Sequence, residues 1–395
     1  MKILYLHPSG AFGGAAKSLI ELWNTLPLPR PLAAVITPRG SVEAAFEEAG
    51  MEVLHAIGLS QFNSTHYGHY RGLRWLIFLR ECLLLPTSFL KIWRLRHRKF
   101  DLIHANEITL LPLAVFAKWL LSAPLIVHVR SLQADTLTPL RSRLMKYFLR
   151  RHADAVVAID ETVARSLPNS LPLHVIRNGL SVSEVYQSSV SQDELCIGAL
   201  GVLAKHKGLI ELVEAVHIVK KRGIEVTCVI GGENIRAPRG LRGWIMTKLG
   251  VAGDLQAELL QMIHGYGLED HVRLVGFVDD VPEFYAQIDV ICFPSHLNAA
   301  GRPVFEGALF GKPSITSIID PPEDAIIHGE TGFAIDGPDP VAIADAIEAF
   351  ARDPNMMRRM GENARAWARE YFSIEKSGSE LSALYASLVV TEKTR

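Results

Sequence analysis

Short runs of Val, Ile and Leu alternate with longer amphipathic stretches along the whole chain of 395 residues. In the first half the pattern predicts strands at Lys2–His7, Ala33–Thr37, Leu102–Ala105, Leu125–Val129, Ala155–Ala158 and His174–Arg177. In the second half it predicts strands at Cys196–Leu200, Glu225–Gly231, Val272–Val275, Val290–Phe293, Ser314–Ser317 and Gly332–Ala334. Strands that alternate with helices in this way are typical of parallel sheets covered by helices. We therefore expect an α/β fold with two Rossmann-like, doubly wound parallel-sheet domains.

A polar stretch separates the two series of strands. It includes Gln187–Asp193, whose Ser- and Gln-rich composition is that of a linker. A chain of this length is also too long to fold around a single hydrophobic core. We predict one domain at residues 1–185 and a second at 186–373, facing each other across a cleft. The helical pattern of residues 374–395 could pack back on the first domain.

Composition and charge limit the kinds of partner and the cellular location that we expect for this protein. Lys and Arg total 41 against 42 Asp and Glu, so the formal net charge of −1 gives no attraction to nucleic acid. The four cysteines lie far apart without Cys-x-x-Cys spacing, which indicates core residues and no metal or redox centre. The N-terminus turns polar before it could form a secretory signal. We expect a cytoplasmic protein.

Two segments leave membrane contact open. The apolar stretch Trp75–Trp93 is interrupted by charges and followed by the basic run Arg94–Lys99. Such charge density argues against a bilayer span and favours helices at an anionic membrane surface. Two buried helices with a basic exposed end fit the same pattern equally well. The segment 233–251, rich in Arg with a Trp, fits either lipid contact or a plain surface excursion. We therefore leave open peripheral contact with the inner face of the membrane.

Glycine-rich turns follow the first predicted strand of each domain. Gly13 and Gly14 precede a helix, so backbone N–H groups there could meet a negative charge. The spacing is not Gly-x-Gly-x-x-Gly, which leaves a nicotinamide dinucleotide site unsupported. In the second domain, Gly201 is followed by Lys205 and Lys207 just before a helix. Lysines in that position can neutralise a departing diphosphate, although each alone would also fit a solvated loop.

The most informative segment is Val290–Thr316. A buried strand leads into a polar loop, a glycine turn and a short helix with one cation, Arg302, and one carboxylate, Glu306. A carboxylate at the carboxyl end of a strand suits a ribose diol, since it can accept two hydroxyl hydrogen bonds.

These residues resemble the donor-site signature of retaining GT-B glycosyltransferases, glycosyltransferase family 4. The signature is carried by Phe293-Pro294-Ser295, Gly301-Arg302, Glu306 and Gly311-Lys312-Pro313. Further matches in the same order are Gly13-Gly14, Asp101–His104, Asn178-Gly179, Lys207-Gly208, Val272–Tyr285, Asp289 and Gly329–Gly332. Because these separated matches run over nearly the whole chain, the resemblance is far more specific than any one motif.

The resemblance implies a GT-B fold and a function. A hexose would pass from a UDP- or GDP-sugar to a glycan or lipid-linked acceptor, with retention of configuration and without metal or other cofactor, in cell-surface polysaccharide or glycolipid synthesis. Lys207 would contact the diphosphate, Glu306 the ribose, and the backbone around Phe277 and Val278 the nucleobase. The full donor-binding set is Gly13, Gly14, Gly201, Lys205, Lys207, Phe277, Val278, Pro294, Ser295, Gly301, Arg302, Pro303, Val304 and Glu306. The acceptor would be bound by His128, Arg130, Asn106 and Glu107, and the catalytic set is Lys207, Asn298, Arg130 and Glu306.

Three departures from the family pattern keep other functions in view. Asn298 stands where the family usually has a glutamate, and Val202 where an arginine commonly precedes the diphosphate lysine. Arg130 occupies the place of a frequent histidine and could bind either an acceptor phosphate or a donor phosphate, so a lipid-phosphate or anionic-glycan acceptor is one interpretation. A neutral amide cannot stabilise an oxocarbenium-like centre as a carboxylate would. The alternatives are a non-catalytic GT-B protein that binds nucleotide or glycan, and a nucleotide-sugar epimerase.

Overall fold

The computed structural model describes residues 1–62, 65, 70, 72–133, 139–180, 194–234 and 254–393. The chain divides into two compact units. Unit 1 comprises Met1–Ser181 with Phe372–Arg395, and unit 2 comprises Val182–Tyr371. The expected linker, Gln187–Asp193, and most of the segment 233–251 lie outside the described residues.

Unit 1 contains a seven-stranded sheet, all of whose neighbouring strands pair in parallel. Its strands are β1 (Lys2–Leu6), β2 (Leu32–Pro38), β3 (Glu52–Ala56), β4 (Leu102–Ala105), β5 (Leu125–Val129), β6 (Ala155–Ala158) and β7 (Leu173–Val175). Their order in the sheet is β3-β2-β1-β4-β5-β6-β7. The sequence analysis missed β3, because this edge strand is only partly buried and carries Glu52 and His55.

Seven α-helices cover this sheet in the described part of unit 1. They are α1 (Gly14–Asn24), α2 (Val42–Glu48), α3 (Trp75–Trp93), α4 (Leu111–Leu121), α5 (Pro139–His152), α6 (Glu161–Arg165) and α13 (Ile374–Lys393). Alternate side chains of β1 enter two different cores. Leu4 and Leu6 pack with α3, α4 and α5, whereas Ile3 and Tyr5 pack with α1, α2 and α13. The last helix of the chain thus completes the core of unit 1.

Unit 2 contains a six-stranded parallel sheet. Its strands are β8 (Leu195–Leu200), β9 (Val226–Gly231), β10 (Val272–Gly276), β11 (Val290–Phe293), β12 (Ser314–Ser317) and β13 (Gly332–Ile335), in the order β10-β9-β8-β11-β12-β13. Its described α-helices are α7 (Leu209–Lys221), α8 (Leu255–Tyr266), α9 (Val281–Ala286), α10 (Arg302–Leu309), α11 (Pro340–Arg352) and α12 (Pro354–Tyr371). The predicted α/β class with two parallel sheets is confirmed.

Each sheet has one place where the strand order reverses direction. It lies between β1 and β4 in unit 1 and between β8 and β11 in unit 2. Loops leaving the carboxyl ends of such neighbouring strands diverge, and ligands of α/β proteins bind in the crevice between them. The loops after β8 and β11 carry Lys207 and Pro294–Gly301, and those after β1 and β4 carry Gly13 and Asn106.

None of the helices in the described ranges combines the length and the apolar character needed to cross a bilayer.

Candidate functional site

The turn that carries Lys207 is fastened to the loop after β11. A 3₁₀ turn, Lys205–Lys207, leads through Gly208 into α7. The backbone oxygen of His206 accepts hydrogen bonds from the N–H of His296 at 2.9 Å and from Ser295 Oγ at 3.2 Å. The two loops that flank the reversal point of this sheet therefore form one connected structure.

Gly208 is required at the centre of this connection. Its φ is +71°, in the left-handed region, and a Cβ built there would lie 1.7 Å from the Pro294 backbone oxygen. Gly223 has nearly the same φ of +73°, but nothing lies within 4 Å of its Cβ position. Substitutions at the two glycines therefore separate the cost of the left-handed backbone conformation from the cost of the contact with the Pro294 backbone oxygen.

We expect Gly208→Ala to destabilise unit 2 by about 3 kcal/mol, and Gly223→Ala by about 1 kcal/mol. The larger loss arises because a methyl at Gly208 must push the Pro294 loop away. Denaturant unfolding of the two variants measures the difference. Equal losses would show that the backbone contact between the two loops is not tight.

Lys207 is a partly buried cation. Its Nζ lies 4.8 Å from the centroid of the Phe293 ring, and burial lowers the pKa of its ammonium group. No carboxylate or hydrogen-bond acceptor pairs with this ammonium group in the described part of the chain. Lys205, two residues earlier, is exposed and lies 2.8 Å from Glu258 Oε2. Of the two predicted donor-binding lysines, only Lys207 would gain strongly from an incoming anion, because partial burial leaves its charge poorly solvated.

Glu306 is held from two sides on α10. Its Oε1 accepts a hydrogen bond from Arg302 Nε at 2.7 Å, and its Oε2 accepts one from the Tyr285 hydroxyl at 3.1 Å. Tyr285 is fully buried, and burial, followed by the nearby Glu306 charge, raises the pKa of its hydroxyl well above the ordinary value. The hydroxyl therefore stays protonated and donates, which fixes the position of the carboxylate.

The Phe293 ring connects the Lys207 turn with the start of α10. The ring contacts the Lys207 ammonium on one side. A Cβ built on Gly301, the residue before α10, would lie 2.4 Å from the same ring. Glycine is thus needed at Gly301 for close packing. The structure brings Lys207, Arg302 and Glu306 together around the carboxyl ends of β8 and β11.

The remaining predicted donor residues of unit 2 lie around the same edge of its sheet. Phe277, directly after β10, is 66% exposed, while Val278 packs so closely that a Cβ on Gly231 would meet its Cγ2 at 2.7 Å. Pro294 and Ser295 are buried in the loop after β11, and Pro303 and Val304 form the first turn of α10. A small hollow between these loops is lined by Ala199, Leu200, Gly201, Val202, Lys207, Leu209, Gly231, Cys292, Phe293 and Pro294. Lys207 is the single charged residue in that lining.

Asn298 has a structural partner that the sequence did not indicate. Its Oδ1 accepts from the Ile319 N–H at 2.6 Å, and its Nδ2 donates to the Ile319 backbone oxygen at 3.3 Å. The amide thereby joins the loop after β11 to the loop after β12. A glutamate has no N–H to offer the Ile319 carbonyl, so this pairing explains an amide at Asn298. A catalytic contribution of Asn298 stays a prediction.

Asp280 likewise has a structural role, as a helix cap. Its Oδ1 accepts a hydrogen bond from the Glu283 N–H at 2.9 Å, which caps the start of α9.

A polar network spans the reversal point of unit 1. Asn106 Nδ2 donates to His7 Nδ1 at 2.9 Å, which joins the ends of β4 and β1. Arg130, after β5, donates from Nε to Asn106 Oδ1 at 3.0 Å and from Nη1 to Asn178 Oδ1 at 2.8 Å. Asn106 and His7 are buried, whereas Arg130 and Asn178 are half-buried, so Arg130 is the charged member of this group that can reach a ligand.

The network continues into the core through two histidines. Arg130 Nη2 lies 3.4 Å from His128 Nδ1, which must accept because arginine can only donate. His104 Nε2 lies 3.3 Å from the same nitrogen, and His104 Nδ1 lies 2.7 Å from the Tyr385 hydroxyl on α13. Tyr385 also lies 3.1 Å from the Tyr5 hydroxyl. His128, predicted to bind the acceptor, is fully buried and contacts Arg130 instead of the surface.

The buried histidines of this network are neutral. Burial and the Arg130 charge lower the pKa of His7 and of His104 to about 3, and they lower the pKa of His128 well below its ordinary value. In the unfolded chain these rings titrate near a pKa of about 6.5. The folded protein therefore binds fewer protons than the unfolded chain at acidic pH.

We expect the free energy of unfolding of unit 1 to fall as the pH drops below about 6.5. At pH 5 the loss should reach about 2 kcal/mol for His7 and about the same for His104, since one pKa unit corresponds to about 1.4 kcal/mol. Denaturant unfolding between pH 7.5 and pH 5 measures this slope. His7→Asn should reduce the slope and exposed His97→Gln should leave it unchanged, whereas a pH-independent stability would contradict the assignment.

Glu107 lies beside Arg130 at the same edge. Its Oε1 accepts from the Ile108 N–H at 2.9 Å and from Ser131 Oγ at 3.2 Å. Burial raises the pKa of this carboxyl, while hydrogen bonds and the Arg130 charge oppose the rise. At the start of α1, the N-cap residue Gly13 is extended and makes no side-chain hydrogen bond to the helix. A ligand contact at Gly13 and Gly14 stays a prediction.

Sequence models of two protein families match the chain. The model described as "Glycosyl transferases group 1" matches residues 184–367, and the "Glycosyl transferase 4-like domain" matches residues 14–179. Together these matches cover most of both units. They confirm the resemblance on which the sequence analysis relied.

Individual curated relatives match smaller parts of the chain than the two family models do together. The chain is 28% identical over 196 residues to the capsular polysaccharide biosynthesis glycosyltransferase CapM of Staphylococcus aureus, which covers 49% of this chain and 46% of CapM. It is 38% identical over 131 residues to the D-rhamnosyltransferase WbpZ of Pseudomonas aeruginosa, which covers 31% of this chain and 33% of WbpZ. The chain thus spans half or less of the length of these curated relatives.

Solved structures confirm the GT-B fold. Anabaena HepE, crystallised with UDP and glucose, superposes with a TM-score of 0.75 over 98% of this chain and 100% of its own, at 23% identity. At this identity the likeness concerns the fold alone.

Proposed function

Because the chain belongs to the glycosyl transferases group 1 family of GT-B proteins, we propose that it transfers a hexose from a UDP- or GDP-sugar to a glycan or lipid-linked acceptor. The observation that carries this proposal is the partly buried Lys207, for which the described part of the chain supplies no counter-charge, joined through Phe293 to the start of the helix that bears Glu306. A nucleoside diphosphate supplies an anion for Lys207 and ribose hydroxyls that can donate to Glu306.

The donor would bind along the carboxyl edge of the unit 2 sheet. Its diphosphate would pair with Lys207 and with N–H groups at the start of α10, which has no side-chain cap. The ribose hydroxyls would donate to Glu306. The exposed Phe277 ring and the neighbouring Val278 would face the nucleobase. HepE, which shares the fold, was crystallised with UDP-glucose.

The proposed reaction needs no metal, because protein groups neutralise the leaving diphosphate. As the sugar–phosphate bond breaks, negative charge grows on the diphosphate, and Lys207 together with the helix N–H groups stabilises it. Arg302 contributes through its hydrogen bond to Glu306. The acceptor hydroxyl would attack from the face that the diphosphate leaves, which retains the anomeric configuration.

The acceptor would bind to unit 1 through Arg130 and Glu107. A half-buried guanidinium held by Asn106 and Asn178 is oriented for an anionic group such as a phosphate. A phosphate-bearing glycan or lipid carrier fits this chemistry. CapM acts in capsular polysaccharide biosynthesis, and we propose a role for this protein in cell-surface polysaccharide or glycolipid synthesis at the cytoplasmic face of the membrane.

A thermal-shift panel of nucleotides and nucleotide sugars tests the donor site. UDP or GDP and the corresponding sugars should raise the unfolding temperature of the wild-type protein, and the rise should vanish in Lys207→Ala and Glu306→Ala. An unchanged response in both variants would move the site elsewhere. Turnover of the stabilising nucleotide sugar, with and without acceptor, separates a transferase from a binding protein in which Asn298 has ended catalysis.

A further inference from the structure

The outward faces of α3 and α5 are apolar. On α3, Trp75, Leu76, Leu79, Leu83 and Leu90 are 46–71% exposed. On α5, Leu140 is 79% exposed, Leu144 54% and Tyr147 53%. Apart from the adjacent Trp75 and Leu76, successive members lie three, four or seven residues apart. Each set therefore forms a stripe along one side of its helix, opposite the side that packs on the sheet. A helix facing only water would carry polar residues at these positions.

The two stripes belong to one surface of unit 1. The Tyr70 ring lies 5.8 Å from the Trp75 ring, and the Arg141 guanidinium lies 4.6 Å from the centroid of Tyr70. The beginning of α3 and the beginning of α5 therefore adjoin. Farther along, α4 bridges the two helices, since Phe116 contacts Phe89 of α3 at 4.4 Å and Lys118 donates to the His152 backbone oxygen at 2.9 Å. We call the outward residues of α3 and α5 the α3–α5 face.

Cations surround this face. The exposed basic residues of α3, the turn after it and α5 are Arg80, Arg94, Arg96, Lys99, Arg143, Arg150 and Arg151. Glu81, the single acidic residue of the two helices, is buried, accepts from the Gln61 N–H at 2.7 Å and pairs with Arg80, so it offsets one of these charges. A chain whose formal net charge is −1 thus concentrates positive charge beside exposed leucines and tryptophans. This combination is complementary to an anionic lipid surface, which offers hydrocarbon and phosphate together.

The α3–α5 face begins next to the proposed acceptor site. The Tyr70 hydroxyl donates to the Gln61 backbone oxygen at 2.7 Å, and Gln61 Nε2 donates to the Pro8 backbone oxygen at 3.0 Å. The Phe62 N–H donates to the Thr109 backbone oxygen at 2.8 Å. Pro8 and Thr109 lie in the loops after β1 and β4, which also carry Asn106 and Glu107. The aromatic start of α3 is therefore attached directly to the loops of the acceptor site.

We propose that the α3–α5 face docks the protein on an anionic phospholipid bilayer, with the acceptor site at the membrane surface. Leucine and tryptophan side chains enter the interface and the arginines bind lipid phosphates. The acceptor is then a lipid-linked saccharide whose phosphate reaches Arg130 while its hydrocarbon stays in the bilayer. This last point rests on the proposed function, whereas the docking itself does not.

Vesicle co-sedimentation of the full chain tests the docking. The protein should sediment with vesicles that contain phosphatidylglycerol, less with vesicles of phosphatidylcholine alone, and less at high salt. Leu79→Asp and Leu144→Asp should each weaken binding about tenfold, since burying one leucine contributes about 1.5–3 kcal/mol. The matched control is Leu260→Asp on α8, where a comparably exposed leucine, 51%, lies in unit 2.

Three outcomes overturn the proposal. The first is no binding to anionic vesicles, and the second is binding that Leu79→Asp and Leu144→Asp leave unchanged. The third is self-association at micromolar concentration that both variants abolish, which would assign the face to a second copy of this chain. The nucleotide thermal shift of the same variants keeps the two proposals apart. If the variants lose vesicle binding but keep the nucleotide thermal shift, the substitutions have affected membrane docking alone. If the wild-type protein itself shows no thermal shift, the proposed donor site is wrong.

Discussion

Replacing Lys207 by alanine should lower the rate of sugar transfer about 100- to 1,000-fold, as removal of one preorganised group at a developing charge does in other enzymes. Lys207 is the single charged residue that lines the hollow between the loops after β8 and β11, and its ammonium group lacks a counter-charge in the described part of the chain. The leaving diphosphate would lose its main cation. Steady-state kinetics with the nucleotide sugar identified by thermal shift measures the loss.

Lys205→Ala is the matched control for this prediction. Both lysines belong to one 3₁₀ turn, but Lys205 is exposed and paired with Glu258 at 2.8 Å. Its removal should change the transfer rate less than about twofold, because an exposed ion pair contributes little. Equal losses in both variants would indicate that the turn is merely disturbed and that Lys207 has no separate role.

Glu306→Gln should weaken binding of the nucleoside diphosphate about 10- to 100-fold, since charge-assisted hydrogen bonds contribute about 1.5–3 kcal/mol. The carboxylate accepts from Arg302 and Tyr285, and a ribose would add two further donors. A glutamine can accept only at its single oxygen, and its NH₂ group would face the Arg302 or Tyr285 donor. Calorimetric titration with UDP or GDP measures the change.

A deoxynucleotide makes this test specific for the ribose. Wild-type protein should bind the 2′-deoxy form of the nucleoside diphosphate more weakly than the ribose form, while Glu306→Gln should bind both alike. Glu258→Gln, an exposed carboxylate outside the site, should discriminate as the wild type does. If Glu306→Gln keeps the full preference for ribose, Glu306 does not contact the sugar of the nucleotide.

Most strands could be predicted because the centre of a parallel sheet is buried on both faces. Runs such as those of β5 and β11 consist almost entirely of apolar residues, and this signal needs no knowledge of partners. At the edge of the sheet β3 is covered on fewer sides and tolerates Glu52 and His55, so its pattern is too weak to recognise.

The sequence could place Lys207, Arg302 and Glu306 at one edge of the sheet because they follow β8 and β11 in two continuous stretches of the chain. The hydrogen-bond partners of the residues in these stretches could not be predicted. Tyr285 reaches Glu306 from another helix, and Asn298 reaches the backbone of Ile319 in a separate loop. Such pairs depend on the three-dimensional arrangement, which the spacing of single residues does not encode.

The network beneath Arg130 was missed for the same reason. It joins His7, His104 and Tyr385, which lie 97 and 281 positions apart along the chain and meet because α13 packs against β1 and β4. One signal was available at the end of β1, where His7 follows the apolar residues 3–6. Polar residues at that point of a doubly wound sheet lie at the ligand-binding edge.

A crystal structure of the protein with bound UDP or GDP tests the central claim most directly. The account predicts the diphosphate within hydrogen-bonding distance of Lys207 Nζ and the ribose hydroxyls on the Glu306 carboxylate, at the carboxyl ends of β8 and β11. A nucleotide bound at any other surface, with Lys207 and Glu306 unoccupied, would contradict it.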